Sequence, residues 1–120
     1  MKWSYKWITI SRFGKNADRH AWLLVQHADH DKVFQKQILK RLQQLVKKKE
    51  TSTKSYAYLY DRVKVFGDKL PQKYGTQGRC IRKGKNGKWK PFPIKNIESI
   101  NRRRKSVGLE SLAKYIKRAT

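Results

Sequence analysis

Directly after the apolar run at 21–25 (AWLLV) come Gln26, His27, Asp29, His30 and Asp31. An amide, two imidazoles and two carboxylates are thus delivered to the end of one buried element. Histidine titrates nearest neutrality, and a carboxylate that orients an imidazole makes it a general acid or base. His27 is therefore the candidate acid–base group, with Asp29 or Asp61 to orient it. Arg62 adjoins Asp61 in the YDR segment at 60–62. Adjacent residues on a helix do not face one another, so each needs another partner, and Arg62 suits an anion or a developing negative charge. The same groups also fit a plainer role, with His27 and Asp29 closing a helix and its turn.

Tyr74, Gly75, Thr76 and Gln77 form a second polar cluster. Gly75 permits close backbone approach, while Thr76 and Gln77 present a hydroxyl and an amide. With Gln26 and Tyr74 they are the candidate substrate-positioning residues; as a turn they would do no chemistry. The H-x-D-H-D pattern at 27–31 lacks the first histidine pair of the metallo-β-lactamase motif, and the chain has three histidines and one cysteine. A site built from His27, Asp29 and Asp61 is chemically feasible, but neither a metal nor another cofactor is expected.

A third group is basic. Arg79, Arg82, Lys85, Lys88, Lys90, Arg102, Arg103 and Arg104 crowd the tract 79–105, with Trp89 among them and Glu98 as its only acid. Cations on a hairpin with an aromatic ring suit phosphate contact and base stacking; a Trp89 tucked into the core is the competing reading. The whole chain has 31 Lys and Arg against eight Asp and Glu, a net charge of +23. Such charge repels itself unless a polyanion screens it, and nucleic acid is the expected partner, RNA ahead of DNA.

One cysteine excludes an internal disulfide and a thiolate zinc cluster, and fits a reducing compartment. No apolar run approaches the roughly 18–20 residues of a membrane span, and the start shows no signal peptide. A cytoplasmic protein without membrane contact is expected; export by a signal-less route and the oligomeric state stay open.

These groups must be held by a small core. The 120 residues are enough for a single domain, and 14 aromatics supply large buried areas. Alternation of Trp3, Tyr5 and Trp7 with polar residues predicts an arm or strand over 1–15. The helical region spans 16–66. Its first helix runs from about 17 to 28, capped by Asn16 or Asp18, and its second, capped by Asp31, from 32 to 49. Phe34, Ile38, Leu42, Leu45 and Val46 form the second helix's apolar stripe. A third helix over 54–66 is capped by Ser52 or Thr53, with Gly67 just past its end. Asn86–Gly87 signals a β-hairpin in the region 74–94. Pro91 and Pro93 make its second strand an edge. Helices from Asn96 to about 105 and from 109 to 118 complete the C-terminal region, 96–118. The fold expected is α+β, a mostly helical single domain with a small antiparallel β-hairpin.

AWLLVQHADHD at 21–31, AYLYDRV at 57–63, QKYGTQ at 72–77, PFPIKN at 91–96 and RRKSVGLESLAKYI at 103–116 occur in this order. Together they resemble an uncharacterised bacterial domain family marked by WLLVQHAD, YLTDRV and YGTQ segments. The resemblance runs from about residue 8 to 116. It implies one domain with shared polar positions at His27, Asp29, Asp61, Arg62, Tyr74, Thr76 and Gln77, and brings no reaction with it. Members are commonly preceded by a further helical stretch absent here, and they are not generally this basic.

Three functions are consistent with the sequence. One is a metal-independent enzyme cleaving RNA or another phosphate-rich substrate through His27 with Asp29 or Asp61. The second is a non-catalytic RNA- or DNA-binding module whose polar residues are structural. The third is an enzyme on a small or peptidic substrate with an incidental basic surface.

Overall fold

The computed structural model describes residues 9–81 and 87–120. The chain is α+β and mostly helical, with a two-stranded antiparallel sheet among the described residues. It divides into two compact units, residues 1–59 and 60–120. The boundary falls within a helix, so no glycine, proline or shift in composition marks it in the sequence.

In the first unit, a single turn, α1 (Ile10–Phe13), leads through Gly14 into α2 (Lys15–Gln26). The arm expected over 1–15 is thus replaced by helix from Ile10 onward, while Trp3, Tyr5 and Trp7 lie outside the described residues. Neither Asn16 nor Asp18 caps α2, which begins ahead of both. Asp18 is buried and accepts hydrogen bonds from Thr51 Oγ1 at 2.7 Å and from the Ser52 backbone N–H at 3.3 Å. A carboxylate tolerates burial where such donors replace water, and this one ties α2 to the loop that precedes α4.

α3 (Lys32–Lys47) starts where its cap predicts: Asp31 Oδ1 accepts the Phe34 N–H at 3.0 Å. Ile38, Leu42 and Leu45 are buried on the predicted stripe. Fully burying one such side chain stabilises by about 1.5–3 kcal/mol, which outweighs the mediocre helix propensity of the Val and Ile around them. Glu50 accepts the Ser11 backbone N–H at 3.0 Å, and that bond holds its carboxyl below the ordinary carboxylate value. Ser52 caps α4 (Thr53–Arg62), taking the Ser55 N–H on its hydroxyl at 3.2 Å. Ala57 and Leu59 are the fully buried residues of this helix's apolar face within the unit.

The second unit opens with the last residues of α4. The expected α-helix to 66 instead widens after Arg62 into a π turn, Val63–Gly67. β1 (Gly78–Cys80) then pairs with β2 (Trp89–Pro91) in the register Gly78↔Pro91, Arg79↔Lys90, Cys80↔Trp89. These are the two strands of the predicted hairpin, shorter than expected; residues 82–86 of its connection lie outside the described residues. Gly78 has a packing reason: a Cβ there would overlap the Lys90 carbonyl oxygen and the Trp89 ring.

A 3-10 turn, Ile97–Ser99, leads into α5 (Ile100–Ser106), and α6 (Leu112–Ala119) ends the chain. Asn96 is left-handed and its side chain makes no cap bond, contrary to the expected cap. Ser111 caps α6 by accepting the Lys114 N–H at 3.3 Å. Trp89 meets Tyr115 edge-to-face at 5.1 Å between ring centroids, which fixes α6 against β2. Val63, Tyr74, Ile100, Val107 and Leu112 are buried in this unit. Among the described residues no helix is long and apolar enough to cross a membrane.

Candidate functional site

Asp61 sits on the last turn of α4 with 0% exposure. Its Oδ1 accepts the backbone N–H groups of Lys73 and Tyr74 at 2.9 and 3.0 Å. Its Oδ2 accepts the Thr76 N–H at 3.0 Å and the Thr76 hydroxyl at 2.8 Å. Burial pushes this carboxyl above the ordinary aspartate value, and the bonds from Tyr74, Thr76 and Lys73 oppose the shift. Gln72 closes the same loop from within: its amide N–H donates to the Gln77 and Phe92 carbonyls, and its oxygen accepts the Gln77 N–H. Gly75, at φ +68°, lets the loop turn with Ile94 and Leu112 pressed against it.

Thr76, Gln77, Arg62 and Tyr74 belong to this network. Gln77 Nε2 donates to the Thr76 hydroxyl at 3.0 Å, and Arg62 reaches Gln77 Oε1 at 3.4 Å. Arg62 also lies over the Phe66 ring, and Tyr74 packs edge-on to Tyr60. The structure therefore brings Asp61, Arg62, Tyr74, Thr76 and Gln77 together. It does so around protein backbone. Asp61 is fully buried and both its oxygens are taken up by the loop, so holding that loop stands in place of the imidazole-orienting role expected of it. The substrate-positioning role expected of Tyr74, Thr76 and Gln77 likewise gives way to internal bonds, since all three are buried.

Gln26, His27 and Asp29 lie in the other unit. Gln26 is buried at the end of α2, and its side-chain oxygen makes no hydrogen bond among the described residues. Asp29 accepts Gln35 Nε2 at 3.2 Å; that amide also bonds the Val25 carbonyl at 3.0 Å. His27 is exposed and ends α2, and no hydrogen bond joins it to a carboxylate among the described residues. Among those residues, no three His, Cys, Asp or Glu side chains are grouped to hold a metal.

The basic tract divides. Arg79, Lys88, Lys90 and Arg102 are exposed as a phosphate-binding surface requires, and Arg82 and Lys85 lie outside the described residues. Arg104 is the correction: it is 0% exposed, and donates to the carbonyls of Glu110 at 2.6 Å and Tyr74 at 2.7 Å. Its guanidinium also stacks on Tyr115 at 4.7 Å, while the Tyr115 hydroxyl donates to the Thr76 carbonyl. Arg104 is thus a strut behind the loop. Trp89 is half-buried, its ring packed against Gly78 and edge-to-face with Tyr115, as the competing core reading expects.

Sequence reasoning missed a cleft in the second unit, about 540 Å³ in volume, lined by Tyr60, Lys64, Leu70, Pro71, Lys73, Lys95, Asn96 and Arg103. The ammonium groups of Lys64 and Lys73 lie 5.5 and 5.6 Å from the Tyr60 ring centroid. Arg103 is pinned by the Lys73, Asn96 and Lys95 carbonyls and by the Ser99 hydroxyl. Neutral acceptors fix its position and leave its charge uncancelled. Lys64 pairs with Asp68 at 3.7 Å; Lys73, Lys95 and Arg103 form no salt bridge among the described residues. Leu70 is 52% exposed, an apolar side chain at the rim. Tyr60 is the first residue of the YDR segment and Lys73 lies within QKYGTQ, but each reads in isolation as ordinary surface.

Fold and site together define a basic α+β protein in which a loop, locked to a helix by a buried carboxylate, presents cations around an aromatic cleft. The chain belongs to a family of unknown function (DUF6624), whose model matches residues 2–119. No curated protein and no solved structure matches it.

Proposed function

We propose that this protein is a non-catalytic module that binds single-stranded nucleic acid, RNA foremost, and engages it at the Tyr60–Lys73–Arg103 cleft. The observation that carries the reading is the cleft itself: three cations without carboxylate partners beside an aromatic and apolar floor. An unpaired base offers a flat face to such a floor, and each phosphate offers charge to the lysines around it. The buried network supports the module over the enzyme, because the Asp61 carboxylate is bonded to backbone N–H groups and the Thr76 hydroxyl is bonded to that carboxylate. The exposed, unpaired Cys80 fits work in a reducing cytoplasm.

The test is a fluorescence-anisotropy titration with a single-stranded RNA, the matching DNA and a duplex of the same length. Single strands should bind more tightly than the duplex, and Lys73→Gln with Lys95→Gln should weaken binding without lowering the melting temperature. Absence of binding at about 50 mM salt, where phosphate contacts are strong, would overturn the reading.

A further inference from the structure

The first unit holds a second and larger cleft, of about 830 Å³, whose walls are contributed by α2, the end of α3 and the start of α4. Four cations stand around it: Lys15 and Arg19 from α2, Lys49 just beyond α3, and Lys54 from the first turn of α4. All four are exposed, and none forms a salt bridge among the described residues, which include every carboxylate side chain of the chain. The one acid in the lining, Asp18, is buried and bonded to Thr51 and Ser52. One wall is aromatic, with Trp22 and Tyr58 in an edge-to-face pair at 6.0 Å.

This arrangement works against folding. Lys15 and Lys54 occupy the first turns of their helices, where the helix dipole is positive and a cation is disfavoured. Four like charges drawn from three elements to one concavity repel one another as well. A cation scattered over open surface needs no explanation in a chain of +23. Four that converge on one cleft with an aromatic wall are explained by an anion that enters it.

The geometry points to a binding site for a small organic phosphate that carries a flat ring, with a mononucleotide as its type. The phosphate would lie among Lys15, Arg19 and Lys54, and the ring against Trp22 and Tyr58. The volume falls within the range of about 300–1,000 Å³ typical of small-molecule sites. This site is separate from the polynucleotide cleft of the second unit, and neither reading depends on the other.

Isothermal titration calorimetry on the full chain tests it, with adenosine monophosphate, inorganic phosphate and adenosine as separate probes. Adenosine monophosphate should bind saturably at one site, more tightly than either fragment. Arg19→Gln with Lys54→Gln should weaken it at least about tenfold, the effect of losing roughly 1.4 kcal/mol. Lys15→Gln with Lys49→Gln provides a second variant of the same site, and Lys40→Gln with Lys114→Gln, exposed lysines that line neither cleft, should leave binding unchanged. Weakening by the last pair instead of the first two, or unsaturable heats in the wild type, would overturn the proposal. Equal binding of phosphate and the nucleotide would overturn the role of the aromatic wall. A failure of RNA binding would leave these results standing.

Discussion

At the scale of single residues, Asp61 and Arg104 decide what the polar segments at 57–63 and 72–77 are for. Both are charged and fully enclosed, and both bond to backbone atoms of the loop 72–77. Asp61→Ala should cost at least about 3 kcal/mol, because several buried donors lose their acceptor at about 1–3 kcal/mol each. Asp61→Asn keeps one acceptor and should cost about 1–3 kcal/mol; urea midpoints measure both. The pH dependence has a definite sign. Burial raises the folded-state carboxyl above its unfolded value, so between the two values the folded state holds the proton more tightly. Stability from Asp61 is therefore fully present below the ordinary carboxylate value and declines as pH rises through the folded one. The gap in stability between wild type and Asp61→Asn should narrow over that rise; a widening gap would contradict burial as the dominant cause. Arg104→Gln should lower stability by about 1–3 kcal/mol, as buried bonds are broken, and leave nucleic-acid affinity unchanged below its melting point. Arg102→Gln should keep stability within about 0.5 kcal/mol, as exposed substitutions do.

At the scale of elements, what the sequence makes legible is local and periodic. The Asp31 cap, the Ile38–Leu42–Leu45 stripe of α3 and the strands on either side of Asn86–Gly87 follow from spacing alone. The π turn at Val63–Gly67 does not, because its side-chain pattern continues that of α4 while the backbone widens. The role of Asp61 is illegible for a related reason. Its bonds reach Lys73, Tyr74 and Thr76 across a turn and a loop, and Arg104 reaches Tyr74 over a separation of 30 positions. No periodicity encodes such side-chain-to-backbone bonds, so a buried strut and a phosphate-binding arginine look alike in the RRRK run at 102–105. The cleft was hidden because Tyr60, Lys73, Lys95 and Arg103 come from four separate segments. Two substitutions test the element packing by thermal melting. Gly75→Ala should destabilise by at least about 1 kcal/mol, the cost of a side chain at positive φ, with further strain against Ile94 and Leu112 at 3.1 and 3.2 Å. Trp89→Ala should cost about 2–3 kcal/mol, somewhat below the range for a fully buried ring. A Trp89→Ala protein that melts normally but loses single-strand affinity would restore the base-stacking role to this ring.

At the scale of the whole molecule, charge is the dominant fact. Eight carboxylates cannot neutralise 31 Lys and Arg, and Asp18 and Asp61 are turned inward. The first unit carries 13 Lys and Arg against four acids and the second 18 against four, so the excess is greater where the Tyr60 cleft lies. At least 23 positive charges have no carboxylate to pair with under any arrangement. A polyanion that covers the molecule should therefore stabilise it as well as bind it, by mass action on the folded state.

The salt dependence of binding tests most directly the proposal that single-stranded nucleic acid is held at the Tyr60 cleft by phosphate contacts. Each phosphate neutralised on a single strand contributes about 0.7 to the slope of log K against log salt. The Lys73→Gln, Lys95→Gln protein should show a slope shallower than wild type by about 1.4, with two such contacts removed. An unchanged slope, with affinity also unchanged, would contradict the account.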